Sequence, residues 1–298
     1  MRRKTKVMLF LIVLAAVSLL TACSANTGNG SETTVEPTAN SQSVKWFSEP
    51  RLLDSGDSYE SSEYYLLNEE TGRHIYTVET KPAGLVEGEK VPIVIYVHGQ
   101  SGEATTFAGI YRRLTEEKVA ALSFECCGGN RSGAKSEGSK LFPAHYTSRI
   151  TDLETVMAKA KTLDYVDPDR IFFFGESYGG AVISLAAIDH NEVAGLILLS
   201  TGLETMMGDE DSETYLAAFD KENPMEAIKG YTGDVICFNG DLDFAFETGR
   251  AQIEVYQQRE KGTAVFYEME GSDHSYSAFT PEGKVFVIDT MVDFICGH

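Results

Sequence analysis

The sequence predicts an α/β protein with a mostly parallel, doubly wound sheet, helices on both faces and a short cap insertion. Short runs of apolar and β-branched residues alternate with helix-length segments along most of the chain. This alternation is typical of a parallel sheet whose crossover helices cover both faces. At the start of the folded part, two polar-apolar runs instead flank the turn sequence at residues 68–72, which indicates an antiparallel hairpin.

The individual elements follow from the apolar runs and the breaks between them. Residues 91–97 are continuous and β-branched, as expected for a strand buried on both faces. Residues 167–169, Asp-Pro-Asp, are interpreted as a turn into the next strand. The predicted strands are residues 63–67, 74–80, 91–97, 119–124, 170–174, 193–199, 235–238 and 264–267, and the predicted helices are residues 104–118, 146–163, 181–190, 252–259 and 281–296. Right-handed crossovers would bring the carboxyl ends of the parallel strands to one edge, where we expect the functional residues.

The amino terminus has the features of an export signal. A basic segment within residues 2–6 precedes an apolar run at residues 7–20, which is too short for an ordinary membrane-spanning helix. The run ends at residues 20–23, Leu-Thr-Ala-Cys, which resembles the bacterial lipoprotein signal. That resemblance implies removal of residues 1–22 and a lipid on Cys23 that anchors the protein to the outer face of a bacterial cell membrane. Plain secretory cleavage at the same position is the alternative.

Two further regions follow from composition. Residues 23–43 are rich in Ser, Thr, Asn and Gly, cannot bury enough apolar surface to fold, and are predicted to form a tether. Residues 44–298 have a suitable size for one α/β domain. Within them, residues 202–230 are an insertion-like segment, predicted to be either a short cap over the functional edge or a surface helix. Its apolar residues are Met206, Met207, Tyr215, Leu216 and Phe219.

The charge of the chain excludes some classes of partner. The formal net charge is −20, and removal of the basic amino-terminal segment would make the chain still more acidic. This charge argues against binding to nucleic acid and against electrostatic docking on anionic lipid. Polyanionic substrates are also disfavoured, so a small neutral substrate fits better. Solubility is the commoner general reason for such a charge.

The five cysteines do not show the spacing of a metal site or of a disulfide scaffold. Cys23 is assigned to lipid, Cys126 and Cys127 are adjacent, Cys237 lies in a predicted strand, and Cys296 is near the carboxyl end. We expect buried free thiols, with a single disulfide bridge as the alternative, and no metal.

The candidate nucleophile is Ser177, within Gly175-Glu176-Ser177-Tyr178-Gly179-Gly180. The pattern G-x-S-x-G is short, but here it stands between a predicted strand and a predicted helix. That context forces the serine into a strained turn and exposes its hydroxyl at the edge of the sheet. A glycine-rich turn without chemistry is the alternative interpretation.

A serine hydroxyl needs an adjacent base to become a good nucleophile. Three histidines follow Ser177. His190 lies 13 residues along the predicted helix, about 20 Å away at the helical rise, and His298 is the last residue. His274 lies in a polar loop before the final helix, on the expected edge, and is therefore the candidate base, with a surface loop histidine as the alternative.

Two carboxylates and two backbone amides are the remaining candidates. Asp241 and Asp243 both follow the strand that ends near residue 238, so either could orient the imidazole. An oxyanion needs two positioned N–H donors. We expect these to be the backbone amides of Tyr178, next to the nucleophile, and of Gln100, in the loop after the strand at residues 91–97. His98 in that loop is expected to be structural.

The order of these motifs resembles the α/β-hydrolase superfamily over nearly all of residues 60–298. In many such hydrolases a glycine-x-x-aspartate spacing follows this strand, which favours Asp243 over Asp241 as the acid. Residues 124–129, Phe-Glu-Cys-Cys-Gly-Gly, are similar to a glycine-rich loop of bacterial cinnamoyl (feruloyl) esterase-like and monoacylglycerol-lipase-like hydrolases, with Glu125 where aspartate is usual.

The resemblance implies an acyl-transfer reaction without a metal or organic cofactor. Ser177 would attack an ester carbonyl, His274 would take its proton, and Asp243 would orient His274. Carboxylic ester hydrolysis is the first expectation. A peptidase of the same fold that acts on short peptides is the second, and a surface lipoprotein that binds a ligand without turnover is the third.

Overall fold

The computed structural model describes residues 46–100, 102–126, 135–137, 146–206 and 223–298. The strands in these ranges are β1 (Arg51–Ser55), β2 (Tyr59–Asn68), β3 (Arg73–Pro82), β4 (Val91–Val97), β5 (Ala120–Phe124), β6 (Val166–Glu176), β7 (Gly195–Leu199), β8 (Asp234–Gly240) and β9 (Ala264–Met269). The helices with both ends described are α1 (Ala108–Glu116), α2 (Tyr146–Ala160), α3 (Tyr178–Ala186), α4 (Pro224–Ala227), α5 (Phe246–Gln257) and α6 (Pro281–Cys296).

All nine strands belong to one sheet, in the order β1-β2-β3-β5-β4-β6-β7-β8-β9. Three neighbouring pairs are antiparallel: β1 with β2, β2 with β3, and β3 with β5. From β5 to β9 every neighbouring pair is parallel. The predicted fold class, with a mostly parallel sheet after an antiparallel hairpin, is therefore confirmed.

The apolar core lies on both faces of the sheet. Successive residues of β4 alternate between the two faces, so that Ile93 and Ile95 enter one apolar cluster while Val94 and Tyr96 enter the other. Helices α2, α3 and α5 cover the first face, and α1 and α6 cover the second. A strand packed on both faces must be apolar at every position, which explains why its run is continuous.

Several elements differ from the sequence prediction. Strand β1 was not predicted because all five of its residues are exposed and show no apolar pattern. Residues 167–169 were predicted as a turn, but they belong to β6. They bulge out of the ladder there, because Val91 pairs with Val166 while Ile93 already pairs with Ile171. Helix α5 begins six residues before the predicted start at residue 252, and α3 begins immediately after Ser177.

The cysteine prediction is partly correct. Cys126 is buried, Cys237 is a buried free thiol, and Cys296 is a free thiol on the surface. The predicted signal at residues 1–22, Cys23, the tether at residues 23–43, Cys127 and most of the insertion at residues 202–230 lie outside the described residues. In the part of the chain that is described, no helix is long and apolar enough to cross a membrane. The same part contains no cluster of His, Cys, Asp and Glu arranged as a metal site.

Candidate active site

Ser177 lies on a sharp turn between β6 and α3. Its backbone has φ 53° and ψ −121°, a region that non-glycine residues rarely adopt. The turn is crowded as well as strained, because a Cβ added to Gly179 would stand 2.0 Å from the carbonyl oxygen of Val97. Glycine at that position is therefore required for α3 to pack against the end of β4, and this packing holds the serine at the carboxyl edge of the sheet.

A chain of short hydrogen bonds connects Ser177, His274 and Asp243. The Ser177 Oγ lies 2.9 Å from His274 Nε2, and His274 Nδ1 lies 2.8 Å from Asp243 Oδ1. A carboxylate only accepts hydrogen bonds, so Nδ1 carries the imidazole proton and Nε2 is left to accept from the serine hydroxyl. This arrangement allows the imidazole to remove the proton of Ser177.

The two candidate acids have different positions. The side chain of Asp243 is fully buried, and its Oδ1 also accepts a hydrogen bond from the Ala245 N–H at 2.8 Å. Asp241 instead accepts from the Ser272 N–H at 3.2 Å, within the loop that carries His274. The structure therefore brings Asp243 to the imidazole, and Asp241 supports the loop backbone.

Three contacts that the sequence did not reveal hold the His274 loop. The Ser275 N–H donates to Ser200 Oγ at 3.0 Å, and the Tyr276 N–H donates to Glu176 Oε1 at 3.1 Å. The ring of Phe244 lies over His274, with centroids 4.3 Å apart. Ser200 follows β7 directly, Glu176 ends β6 and Phe244 follows β8, so their position at strand ends was the signal available in the sequence.

The predicted oxyanion residues lie beside Ser177. A Cβ on Gly99 would stand 3.2 Å from the Ser177 Cβ, so the loop that contains Gln100 passes close to the serine. Tyr178 is the first residue of α3, where backbone amides have no partner within the helix. The Tyr178 ring packs inward and stacks on Tyr146, with centroids 4.4 Å apart.

His98 is a structural residue of this loop, and its ring bonds to backbone groups on both sides. Its Nδ1–H donates to the Gly99 carbonyl at 2.5 Å, and its Nε2 accepts from the Cys126 N–H at 2.9 Å. Complete burial, assisted by the nearby positive charge of Arg149, lowers the pKa of His98 to about 3. The ring is therefore neutral and links the oxyanion loop to the end of β5.

A cavity of about 420 Å³ opens beside the serine. It is lined by Gly99, Gln100, Gly102, Thr106, Phe107, Glu176, Ser177, His274, Ser275, Tyr276 and Ser277. Met206, from the predicted cap segment, has its sulfur 3.6 Å from the Ser177 Oγ. Its carbonyl accepts a hydrogen bond from the Tyr146 hydroxyl at 2.6 Å. Of the predicted apolar cap residues, Met206 alone lies within the described ranges.

Comparisons with known proteins agree with this architecture. Residues 88–218 match the serine aminopeptidase (S33) family. The quorum-quenching protein AidA of Acinetobacter baumannii is 30% identical over 110 residues, which are 36% of this chain and 34% of AidA. Human dipeptidyl peptidase 8 is 26% identical over 154 residues, which are 48% of this chain and 17% of that protein. The alignments therefore span only a minor part of these two relatives.

A solved structure is similar over much more of its length. Est1E from Butyrivibrio proteoclasticus, in a complex with ferulic acid, superposes with a TM-score of 0.62 at 22% identity. The match covers 78% of this chain and 99% of Est1E. At this identity the likeness concerns the fold. Together with the nine-stranded sheet and the sharp serine turn, it shows that the chain has the α/β-hydrolase fold.

Proposed function

We propose that the protein is a serine hydrolase that cleaves small carboxylic esters through an acyl-enzyme on Ser177. The observation that carries this proposal is the pair of hydrogen bonds, 2.9 and 2.8 Å long, that joins Ser177 to His274 and His274 to Asp243. An isolated serine hydroxyl is a weak nucleophile, and this arrangement supplies both a base and a group that orients it.

The reaction follows from the geometry in two halves. Ser177 Oγ attacks the carbonyl carbon while His274 Nε2 accepts its proton, and the backbone amides of Tyr178 and Gln100 bind the oxygen that becomes negative. The imidazolium then donates its proton to the departing alcohol, and an acyl-enzyme remains. A water molecule, activated by the same imidazole, releases the acid. The Asp243 carboxylate orients the imidazole and stabilises the imidazolium. This scheme needs no cofactor.

Hydrolysis of a substrate panel tests the proposal. The panel contains p-nitrophenyl esters, methyl ferulate, a monoacylglycerol and aminoacyl-nitroanilides, with Ser177→Ala as the control. We expect turnover of at least one ester that disappears in the control. Ester turnover that survives Ser177→Ala would refute the assignment of the nucleophile.

A peptidase is the second candidate, favoured by the match to the serine aminopeptidase (S33) family and by the similarity to dipeptidyl peptidase 8. The same three side chains can cleave an amide, so the panel separates the two functions. Turnover of nitroanilides alone would identify a peptidase. A protein that only binds a ligand would give no turnover and would not be labelled at Ser177 by a fluorophosphonate.

The location of the protein is part of the proposal. The segment at residues 20–23 supports a lipid anchor on Cys23, which would hold the hydrolase domain at the outer face of a bacterial membrane. Cys23→Ser should then release the protein from the membrane fraction. Unchanged retention of that variant would refute the anchor.

A further inference from the structure

The Glu176 carboxylate takes no part in the acyl-transfer scheme, although it lies next to the nucleophile. Glu176 is only 8% exposed and lines the same cavity as Ser177 and His274. Its Oε1 accepts from the Tyr276 N–H at 3.1 Å, whereas its Oε2 lies 3.5 Å from the Tyr96 hydroxyl, which is long for a hydrogen bond. One carboxylate oxygen is therefore poorly satisfied within the protein.

The charge of this carboxylate is not balanced by a lysine or arginine in the described part of the chain. Among the described residues, no lysine or arginine forms an ion pair with Glu176, although acidic side chains are rarely buried unless they are paired. Burial raises the pKa of the Glu176 carboxyl, and the charge of protonated His274 opposes that shift. A further cation in the cavity would act in the same direction as His274 and favour the ionised carboxylate.

The other walls of the cavity suit a cation as well. Phe107 and Tyr276 both line the cavity, and their rings pack edge-to-face with centroids 5.5 Å apart. Among the described residues that line it there is no lysine or arginine. The side chain of Lys284 lies near this wall. Its Nζ donates to the Ser277 carbonyl and lies 5.8 Å from the Tyr276 ring centroid. Aromatic faces beside a carboxylate attract ammonium groups.

The position of the cavity identifies the part of the substrate that it would receive. His274 Nε2 must deliver its proton to the departing oxygen, so the alcohol half of an ester leaves on the His274 side of Ser177. The cavity wall formed by residues 275–277 continues directly from His274. The alcohol half would therefore enter the cavity that Glu176 lines, whereas Met206 contacts Ser177 but does not line that cavity.

We propose that this cavity binds an ammonium group on the alcohol half of the ester substrate, with Glu176 as the charge partner and Phe107 and Tyr276 as aromatic walls. The inference rests on the proposed esterase function and narrows its substrate class to esters of amino alcohols. The net charge of −20 disfavours polyanions and attracts cations, which agrees with such a substrate.

The test compares two esters that have the same acyl group and nearly the same shape. One is a choline ester, and the other is the 3,3-dimethylbutyl ester, in which a carbon atom replaces the charged nitrogen. For the full-length protein we expect kcat/KM to favour the choline ester by about tenfold or more, a modest value for a desolvated cation at an aromatic and anionic site. In Glu176→Gln this ratio should fall towards one.

Glu176→Gln keeps an oxygen that can accept from the Tyr276 N–H, so it removes charge without removing that contact. The ratio is measured within each variant, which cancels any common loss of rate. Glu268→Gln is the matched control, because Glu268 forms a partly exposed ion pair with Arg250 at 3.0 Å and its replacement changes the net charge by the same amount. That variant should retain the wild-type ratio.

Three results would overturn the inference: a wild-type ratio near one, an undiminished ratio in Glu176→Gln, or an equal decrease in Glu268→Gln. A binding measurement separates this failure from failure of the proposed function. Tetramethylammonium should raise the melting temperature of Ser177→Ala but not that of Ser177→Ala combined with Glu176→Gln. If neither ester is hydrolysed but tetramethylammonium still raises the melting temperature, the proposed esterase function is refuted and the cation site is supported. If tetramethylammonium does not raise the melting temperature, the cation site is refuted.

Discussion

Replacement of Asp243 by asparagine is the sharpest test of the proposed mechanism. Asp243 Oδ1 is shared between His274 Nδ1 and the Ala245 N–H, each at 2.8 Å. An asparagine oxygen at the same place would keep both hydrogen bonds but would lose the negative charge. An amide nitrogen there would face the Ala245 N–H and force the other imidazole tautomer, which leaves no lone pair for Ser177. Either orientation damages the base.

The magnitude follows from the charge that the reaction creates. When His274 takes the proton of Ser177, the imidazolium stands against the buried carboxylate of Asp243. Two unit charges about 4 Å apart interact by about 4 kcal/mol at an effective dielectric constant of 20. Loss of that term alone would slow acylation about a thousandfold. Loss of the correct tautomer adds to this, and the corresponding replacement in a serine protease costs about 10⁴-fold. We therefore expect kcat to fall by about 10³- to 10⁴-fold.

The assay is steady-state hydrolysis of the best ester of the panel by wild type, Asp243→Asn and Asp241→Asn, with circular dichroism to confirm folding. Asp241→Asn is the matched control, because its amide oxygen can still accept from the Ser272 N–H, 3.2 Å from the present carboxylate. It should change kcat by less than about threefold, the scale of one weak hydrogen bond. A large loss in Asp241→Asn with little loss in Asp243→Asn would refute the reasoning and reverse the two assignments.

Three further predictions concern the scaffold of the site. Gly179→Ala should prevent folding or reduce the free energy of unfolding in urea by at least about 4 kcal/mol, because its Cβ would overlap the Val97 carbonyl. A loss below about 1 kcal/mol would contradict the close packing. Ser200→Ala removes the acceptor of the Ser275 N–H and should lower kcat by about three- to tenfold, with a loss of about 1 kcal/mol in the free energy of unfolding. An unaltered kcat would show that this contact does not position the imidazole. In the unfolded chain His98 becomes protonated below about pH 6.5, whereas in the folded protein its pKa is about 3. Between these two pH values the unfolded state binds the extra proton, so the free energy of unfolding falls as the pH decreases. From pH 7 to 4.5, His98→Gln should therefore lose about 2 to 3 kcal/mol less than wild type in urea unfolding, and equal losses would contradict a neutral buried ring.

The sequence predicted the class of the fold because its strongest signals are physical consequences of burial. Strand β4 and residues 171–174 of β6 are buried on both faces and must be apolar, so their runs are visible without any knowledge of their neighbours. Strand β1 has no buried residue and left no such signal. The residues at 167–169 carry ordinary turn chemistry, and an Asp169 N–H to Asp167 side-chain contact at 3.1 Å is indeed present. Val166 before this segment and Ile171 after it nevertheless pair with β4, which keeps residues 167–169 within a strand. Such pairing with a distant part of the chain cannot be predicted from the local sequence.

The candidate site also has some residues that the local sequence reveals and others that only the tertiary structure reveals. Ser177 could be found because the turn needs glycines in a fixed pattern, and His274 because few histidines follow it. Asp241 and Asp243 could not be separated by position alone, since both follow the same strand. Glu176 occupies the variable position of the serine motif, so nothing in the motif indicates that its side chain turns towards the His274 loop. Contacts between the ends of different strands depend on the sheet order, which local patterns do not encode.

Backbone strain joins these contacts into one structure. Four non-glycine residues in the described ranges have positive φ, and three of them are Ser177, Ser200 and Ser275, all at the site. Each such residue costs about 1 to 3 kcal/mol, so hydrogen bonds must hold the conformations in place. The backbone N–H of Ser177 donates to the Leu199 carbonyl at 2.9 Å, and the backbone N–H of Ser200 donates to the Phe238 carbonyl at 2.8 Å. Ser275 in turn donates to the Ser200 side chain at 3.0 Å. The strained turns therefore support one another across three neighbouring strand ends, and the position of His274 depends on the sheet as much as on its own loop.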